Sequence, residues 1–137
     1  MSPVAWAVRP LKHYADFSGR ASRAEYWWFV LFEWLALVVL IILAVAIAGR
    51  SKETNPFFDA FIVPFVIALA AVIIPNIAVQ VRRLHDQDRS GWFILLFFIP
   101  YVGGLISLVF MLIPGTSGPN RFGPDPYESD HLEEVFA

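Results

Sequence analysis

The sequence predicts an all-α integral membrane protein: a small bundle of three hydrophobic helical segments, preceded by an interfacial arm and followed by a turn-rich tail. The first observation is composition, since 58% of the 137 residues are hydrophobic and 16% are charged. Soluble chains have about 45–50% and 25%, and a single small domain has too little interior to bury the excess. The second observation is that the apolar residues fall into three long segments. Disorder is excluded because it requires low hydrophobicity and high charge.

The three apolar segments cover residues 26–48, 57–81 and 91–113 of what we expect to be a single membrane domain. At 1.5 Å per residue, each is long enough as a helix to cross roughly 30 Å of hydrocarbon. Lipid offers the backbone no hydrogen-bond partners, so the segments are expected to be helical. The flanking divisions are a cytoplasmic or interfacial arm, residues 1–25, and a polar tail, residues 114–137.

Residues 3–17 of the arm are expected to form a short interfacial helix. The side chains that would bury one face are Trp6, Leu11, Tyr14 and Phe17, with Arg9 and Lys12 outside.

The starts of the three segments carry N-cap signals. Ser22 and Glu25 fit a capping box before the first segment. Asn55 precedes Pro56, which is the order favoured at the cap and first position of a helix. Ser90 is placed to cap the third segment.

The third segment is broken at its middle by Pro100 and by Gly103-Gly104. Each half is about 13 Å long as a helix, roughly half a bilayer. Because proline kinks are tolerated in membrane helices, the sequence favours one kinked span. The alternative is a re-entrant hairpin with both ends on one side.

Positive charge is distributed unevenly around the segments and predicts a cytoplasmic N-terminus. Only Arg50 and Lys52 lie in the first loop. The positive residues on the N-terminal side are Arg9, Lys12, Arg20, Arg23, Arg82, Arg83 and Arg89 if all segments span, and Arg121 joins them if the third is a hairpin.

The densest polar cluster lies between the second and third segments, and it shares the predicted cytoplasmic face with the end of the arm. Its candidate residues, with two from the tail, are Arg20, Arg23, Glu25, Arg82, Arg83, His85, Asp86, Asp88, Arg89, Asn120 and Arg121. One interpretation is structural, because arginine and carboxylate groups pair in bidentate fashion. A second is binding of anionic headgroups or phosphate. A third is catalysis by His85 and Asp86 at the membrane surface.

Glu33 lies about 10 Å into the first helix. An acid at this depth is a candidate functional residue, and Asn76 and Gln80 of the second segment could share a hydrogen-bonded network with it. The network is either structural or the lining of a path through an oligomeric channel or transporter.

Metal and cofactor sites are not predicted. The chain has no cysteine, and its three histidines lack ligand spacing. Phosphate-binding loops, dinucleotide fingerprints and nucleic-acid modules are absent from the sequence. The stretch Asn120–Pro126 is expected to form a rigid lid against helix ends.

The chain resembles the domain-of-unknown-function 805 family in three blocks that keep their order around the apolar segments: FSGRASRAEYWWF, VRRLHDQDRSGWFILLFFIPYVGG and PGTSGPNRFGPDP. The resemblance covers about Tyr14 to Pro126. It implies an integral protein of the bacterial inner membrane and no particular activity. The matching residues are Gly19, Arg20, Arg23, Glu25, Tyr26, Trp27, Arg82, Arg83, Leu84, His85, Asp86, Gly91, Trp92, Pro100, Gly115, Gly118, Asn120, Gly123, Asp125 and Pro126.

We therefore predict a non-enzymatic, multi-pass inner-membrane protein that acts through the Arg/His/Asp cluster. The expected partners are membrane lipids, with anionic headgroups among them, a second copy of the chain or other membrane proteins. Nucleic acid is not an expected partner. The alternatives are a channel or transporter that uses Glu33, Asn76 and Gln80, and a membrane-surface enzyme that uses His85 and Asp86.

Overall fold

The regular elements in the described part of the chain are all helical, which confirms the all-α part of the predicted fold class. The computed structural model describes residues 1–50, 52, 54–56 and 58–128, and no strand occurs among them. The elements are α1 (Pro3–Lys12), α2 (Arg23–Ala48), a π-helical turn (Phe58–Ile62), α3 (Val63–Asp86), a 3-10 helix (Gly91–Phe98) and α4 (Gly103–Leu112). Phe57, the predicted start of the second segment, and tail residues 129–137 lie outside the described residues.

Two of the helices are long and apolar enough to cross a membrane, Arg23–Ala48 and Ala60–Asp86. Only 6% and 17% of their most apolar stretches are buried. A helix of that composition in the core of a soluble protein is mostly buried, whereas few residues of these two stretches are buried. Their environment is therefore expected to be lipid.

Helices α2 and α3 run antiparallel. Contacts join Arg82 near the end of α3 to Glu25 near the start of α2, and Asn76 to Glu33 further along. The small hydrophobic core lies at this end of the pair, where Phe29 of α2 packs with Val79 of α3. Helix α3 also continues past residue 81, so Arg82–Asp86 form its last turn rather than a loop.

The third apolar segment is a hairpin, and the single kinked span that the sequence favours does not form. The rings of Phe93 and Phe97, in the 3-10 helix, lie 6.2 and 5.9 Å from the ring of Phe110 in α4. Arg83 of α3 donates a 2.7 Å hydrogen bond to the carbonyl of Ile113, just after α4. Both ends of the segment therefore meet the same end of α3.

The turn of the hairpin follows from its residues. Proline disfavours a helical conformation in the residue before it, and Ile99 is extended, which ends the 3-10 helix. Tyr101 adopts a positive φ of 68°. The backbone of Gly103 packs directly on the carbonyl of Phe97, where any side chain would overlap that oxygen.

Helix α1 packs on α2 instead of standing apart as an arm. It ends at Lys12, before the predicted residue 17, and buries Trp6, Ala7 and Pro10. Of the predicted face, Trp6 is buried in the protein, whereas Leu11, Tyr14 and Phe17 lie on its surface. Arg9, predicted to lie outside, points inward, with its Nε 3.5 Å from the carboxylate of Glu25.

Two of the three predicted caps are confirmed. Ser22 accepts a hydrogen bond from the backbone N–H of Glu25, and Ser90 accepts one from Trp92. Pro56 is helical, as the Asn55-Pro56 order predicts, and a π-helical turn lies between it and α3, whose first residue is Val63.

We expect Gly103→Ala to lower the free energy of unfolding by about 1–3 kcal/mol, the usual range for forced overpacking. The added methyl group would overlap the Phe97 carbonyl, and the hairpin would have to open to admit it. Denaturant unfolding in detergent micelles measures the change. Gly104→Ala is the matched control, since its Cβ meets open space. Equal stability of the two variants would show that the hairpin turn does not constrain the fold.

Candidate functional site

Three sequence blocks that are far apart in the chain meet at the C-terminal end of α3. The backbone N–H of Ala21 donates to the carbonyl of Arg82, and that of Thr116 donates to the carbonyl of Asp86. The segment before α2 and the segment after α4 are thus both bonded to the last turn of α3. The blocks brought together are residues 17–25, 82–91 and 114–126.

Asp86 is buried between two arginines. Its Oδ1 accepts a 3.0 Å hydrogen bond from Nε of Arg20 and lies 2.9 Å from Nη2 of the same side chain. Its Oδ2 accepts a 2.5 Å bond from Nη1 of Arg83. A buried carboxylate requires this degree of pairing, because its desolvation is otherwise strongly unfavourable.

Arg83 is completely buried and connects three parts of the chain. Besides Asp86, it donates to the carbonyls of Ala21, Met111 and Ile113 at 3.3, 3.4 and 2.7 Å. The last carbonyls of a helix lack intrahelical partners, and a cation at that end is electrostatically favourable. Arg83 therefore holds the end of α4 against α3.

Arg20 holds the C-terminal segment, residues 114–128, against the same end. Its guanidinium donates 2.6 Å hydrogen bonds to the carbonyls of Thr116 and Gly118, and a 3.4 Å bond to that of Gly123. Gly123 has a positive φ of 135°, a conformation that favours glycine. The segment packs as the lid that its proline and glycine residues predict.

His85 contacts this lid but does not act with Asp86. Its Nδ1 lies 3.0 Å from the carbonyl oxygen of Gly19, and its ring stacks on Phe122 at 4.0 Å between centroids. Asn120 donates to the His85 carbonyl at 3.0 Å. Since both oxygens of Asp86 are engaged by arginines, the histidine–carboxylate pair required by the enzyme alternative does not form.

A second buried ion pair joins α1, α2 and α3. Nη1 of Arg82 donates a 2.7 Å hydrogen bond to Oε1 of Glu25, and Nε of Arg9 lies 3.5 Å from Oε2. Glu25 and Arg82 are almost completely buried. We call Arg20, Glu25, Arg82, Arg83 and Asp86 the buried ion-pair cluster.

The other predicted cluster residues lie outside this cluster. Arg23 is exposed. Asp88 and Arg121 form a solvent-exposed ion pair at 3.2 Å, which contributes little to stability. Arg89 lies over the ring of Phe110 at 5.1 Å, a cation–π contact that supports the hairpin.

A polar cavity of about 510 Å³ opens beside the buried ion-pair cluster, and we call it the arginine pocket. Arg82 forms part of its wall, and among the described residues the Nε and Nη2 groups of this buried side chain have no hydrogen-bond partner. Buried polar groups without a partner are uncommon and call for an explanation. The other lining residues are Arg9, His13, Asp16, Ser18, Gly19, Arg20, Pro124, Asp125, Pro126 and Glu128.

Asp16 gives the arginine pocket a permanent negative charge. The hydroxyl and the backbone N–H of Ser18 donate to its Oδ1 at 2.6 and 3.0 Å. These bonds lower the pKa of Asp16 to about 2, the hydroxyl having the larger effect and His13 adding to it. The sequence analysis did not identify Arg9, His13 or Asp16 as site residues. The only local sequence signal for this part of the pocket is the Asp-x-Ser spacing, which lets Ser18 donate hydrogen bonds to the Asp16 carboxylate.

Within the apolar region, the predicted network is reduced to one pair. Nδ2 of Asn76 donates to Oε1 of Glu33 at 2.6 Å and to the carbonyl of Val72 at 3.0 Å. Gln80 does not join this pair. Glu33 lies on the wall of an apolar cleft of about 520 Å³ between α2 and α3, which we call the Glu33 cleft. Among the described residues, no group of His, Asp and Glu is arranged to hold a metal ion.

We expect Arg83→Gln to lower the free energy of unfolding by about 3–5 kcal/mol, because it leaves buried acceptors and a buried carboxylate short of a partner. Arg23→Gln removes the same charge from an exposed position. Its effect should stay within about 0.5 kcal/mol. Unfolding followed by the fluorescence of the five tryptophans measures both. If Arg83→Gln unfolds like Arg23→Gln, the cluster does not stabilise the fold.

Comparison with known proteins gives a consistent result. The family model "Protein of unknown function (DUF805)" matches residues 14–124. Inner membrane protein YhaH of Escherichia coli is 43% identical over 88% of this chain and 95% of its own length, and inner membrane protein YhaI is 39% identical over 90% and 96%. The uncharacterised protein YiiR of the same organism is 28% identical over 80% and 85%.

No solved structure matches the chain. The family model covers most of the chain, including two of the three blocks that form the site and all but the last two residues of the third, and two relatives match nearly end to end. The chain belongs to the DUF805 family.

Proposed function

We propose that this protein is a non-enzymatic, multi-pass protein of the bacterial inner membrane that binds a zwitterionic phospholipid headgroup, a phosphate linked to an ammonium group, in the arginine pocket. The observation that carries the proposal is the Arg82 side chain in the pocket wall, whose buried Nε and Nη2 find no hydrogen-bond partner among the described residues. The printed names of the YhaH and YhaI relatives support the inner-membrane location.

The charge distribution supports an orientation with both termini in the cytoplasm. With α2 and α3 spanning and the third segment re-entering, Arg50 and Lys52 stand alone on the far side. The other eight of the ten Lys and Arg residues lie on the side of the N-terminus. Cytoplasmic faces of membrane proteins carry such an excess. In this orientation the arginine pocket would lie on the cytoplasmic side, at the ends of α2 and α3, where lipid headgroups would be within reach.

The phosphate end of the ligand is assigned to Arg82 and Arg9. A guanidinium group presents planar N–H groups that match the oxygens of a phosphate. Arg82 uses only Nη1 for Glu25, and Arg9 is 29% exposed at its side chain, so it can turn toward a ligand. Arg20 is excluded from this role because its N–H groups are committed to Asp86 and to backbone carbonyls, and Arg83 is excluded because it does not line the pocket.

The ammonium end is assigned to the acidic wall of the pocket. Asp16 remains ionised at physiological pH because its pKa lies at about 2. Asp125 and Glu128 line the same cavity, so that positive and negative side chains both contribute to it. A purely anionic headgroup would meet these carboxylates unfavourably, whereas a zwitterionic one pairs with both walls.

We expect Arg9→Gln to weaken binding of phosphatidylethanolamine by about tenfold, because a charge-assisted contact to phosphate is lost. We expect Asp16→Asn to remove the preference for phosphatidylethanolamine over phosphatidylglycerol. Native mass spectrometry of the purified chain with each lipid measures both changes. Arg23→Gln removes one positive charge from the same face outside the arginine pocket and should bind as the wild type does. Loss of lipid by Arg23→Gln equal to that of Arg9→Gln would refute the assignment.

The orientation is tested by cysteine labelling, since the chain has no native cysteine. We expect a membrane-impermeant maleimide to label Arg50→Cys in intact spheroplasts and Ser117→Cys only after lysis. Both positions are solvent-exposed, so labelling reports the side of the membrane. Labelling of Ser117→Cys in intact spheroplasts would place the lid and the arginine pocket outside the cytoplasm.

A further inference from the structure

The Glu33 cleft combines three features that point to a ligand. Its volume of about 520 Å³ lies in the range of small-molecule sites. Its walls are apolar and include the aromatic side chains of Trp34 and Phe65. One carboxylate, that of Glu33, is its acidic group. We infer that the Glu33 cleft binds a lipophilic organic cation, whose charge pairs with Glu33 and whose apolar groups fill the space between α2 and α3.

The carboxyl group of Glu33 is held in place, but no cation among the described residues pairs with it. Asn76 binds Oε1 and is itself fixed by the carbonyl of Val72. Among the described residues, no Lys, Arg or His forms an ion pair with Glu33. In a low-dielectric region a carboxyl group without a partner charge takes up a proton, so a bound cation would supply the partner that stabilises the ionised form, and ionisable groups within membranes mark substrate and ion paths.

The surroundings of Glu33 favour an organic cation over a metal ion. Calcium and magnesium ions require several oxygen ligands, and the cleft offers one carboxylate beside one amide. A lipophilic cation carries its charge beneath apolar groups, so it loses little hydration on entering the cleft. The aromatic rings of Trp34 and Phe65 line the cleft, and the partial negative charge on the faces of such rings attracts a cation.

Two other occupants fit the chemistry less well. A lipid acyl chain would fill the apolar volume but leave the Glu33 charge without a partner. A second copy of the chain would have to supply a cation at this depth, but residues 27–48, 60–81 and 91–113 contain no Lys or Arg. Charge complementarity therefore selects the organic cation, independently of the arginine pocket.

The test is equilibrium binding of radiolabelled tetraphenylphosphonium to the purified full chain in detergent micelles. We expect saturable binding by the wild type and an affinity lower by about tenfold or more in Glu33→Gln, which loses a charge-assisted contact. Asp88→Asn is the matched control. It removes one carboxylate from an exposed position with positive φ, which asparagine adopts readily, and it should bind as the wild type does.

A second variant keeps the proposal testable if Glu33→Gln does not fold. Ala68 lines the cleft and is exposed, so Ala68→Phe fills the cleft with Glu33 intact, and we expect binding to be lost. Binding by the wild type should weaken as the pH falls, because protonation removes the charge of the carboxylate. Equal binding by Glu33→Gln, by Ala68→Phe or by empty micelles would overturn the inference. If neutral triphenylphosphine oxide displaces the labelled tetraphenylphosphonium as well as unlabelled tetraphenylphosphonium does, the cleft binds apolar ligands regardless of their charge. That result would overturn the inference as well.

Discussion

A carboxylate buried between two guanidinium groups, Arg20–Asp86–Arg83, is the interaction on which the rest of the structure depends. An isolated ionised carboxylate in this position would be strongly destabilising, and the two arginines are acceptable inside only because they are paired. Each arginine then has N–H groups left over. Those groups donate hydrogen bonds to the carbonyls of Thr116 and Ile113, which are distant in sequence. The pairing of Asp86 thereby holds the segment after α4 against the end of α3.

The hairpin follows from this pairing. A short helix such as α4 ends with carbonyls that have no intrahelical donor, and in lipid those carbonyls would lack water as well. Arg83 supplies donors to Met111 and Ile113, and Gln87 donates to Phe110 at 2.5 Å. Donors for the end of α4 are therefore available at the end of α3.

The Asp86 carboxylate also constrains the segment after α4. Gly115 packs directly on this carboxylate and cannot carry a side chain without displacing it.

Two regions of different chemistry remain after the buried ion-pair cluster is satisfied. The arginine pocket lies beside the cluster and combines positive and negative groups with two nitrogens of Arg82 that have no acceptor among the described residues. The Glu33 cleft lies in the apolar region and holds one carboxyl group fixed by Asn76. The headgroup proposed for the first region and the cation proposed for the second would each pair with polar groups that the described residues leave without a partner.

The sequence by itself determined the membrane class, the two long apolar helices and the caps at Ser22 and Ser90, because hydrophobicity, length and capping are local properties. It also identified all five members of the buried ion-pair cluster by residue type. Only the tertiary structure decided that the third segment turns back at Pro100–Gly103, that Arg9 points inward, and that Asp86 pairs with Arg20 instead of orienting His85. These outcomes depend on which distant groups satisfy each buried charge and carbonyl, and residue spacing along the chain carries no information about those partners.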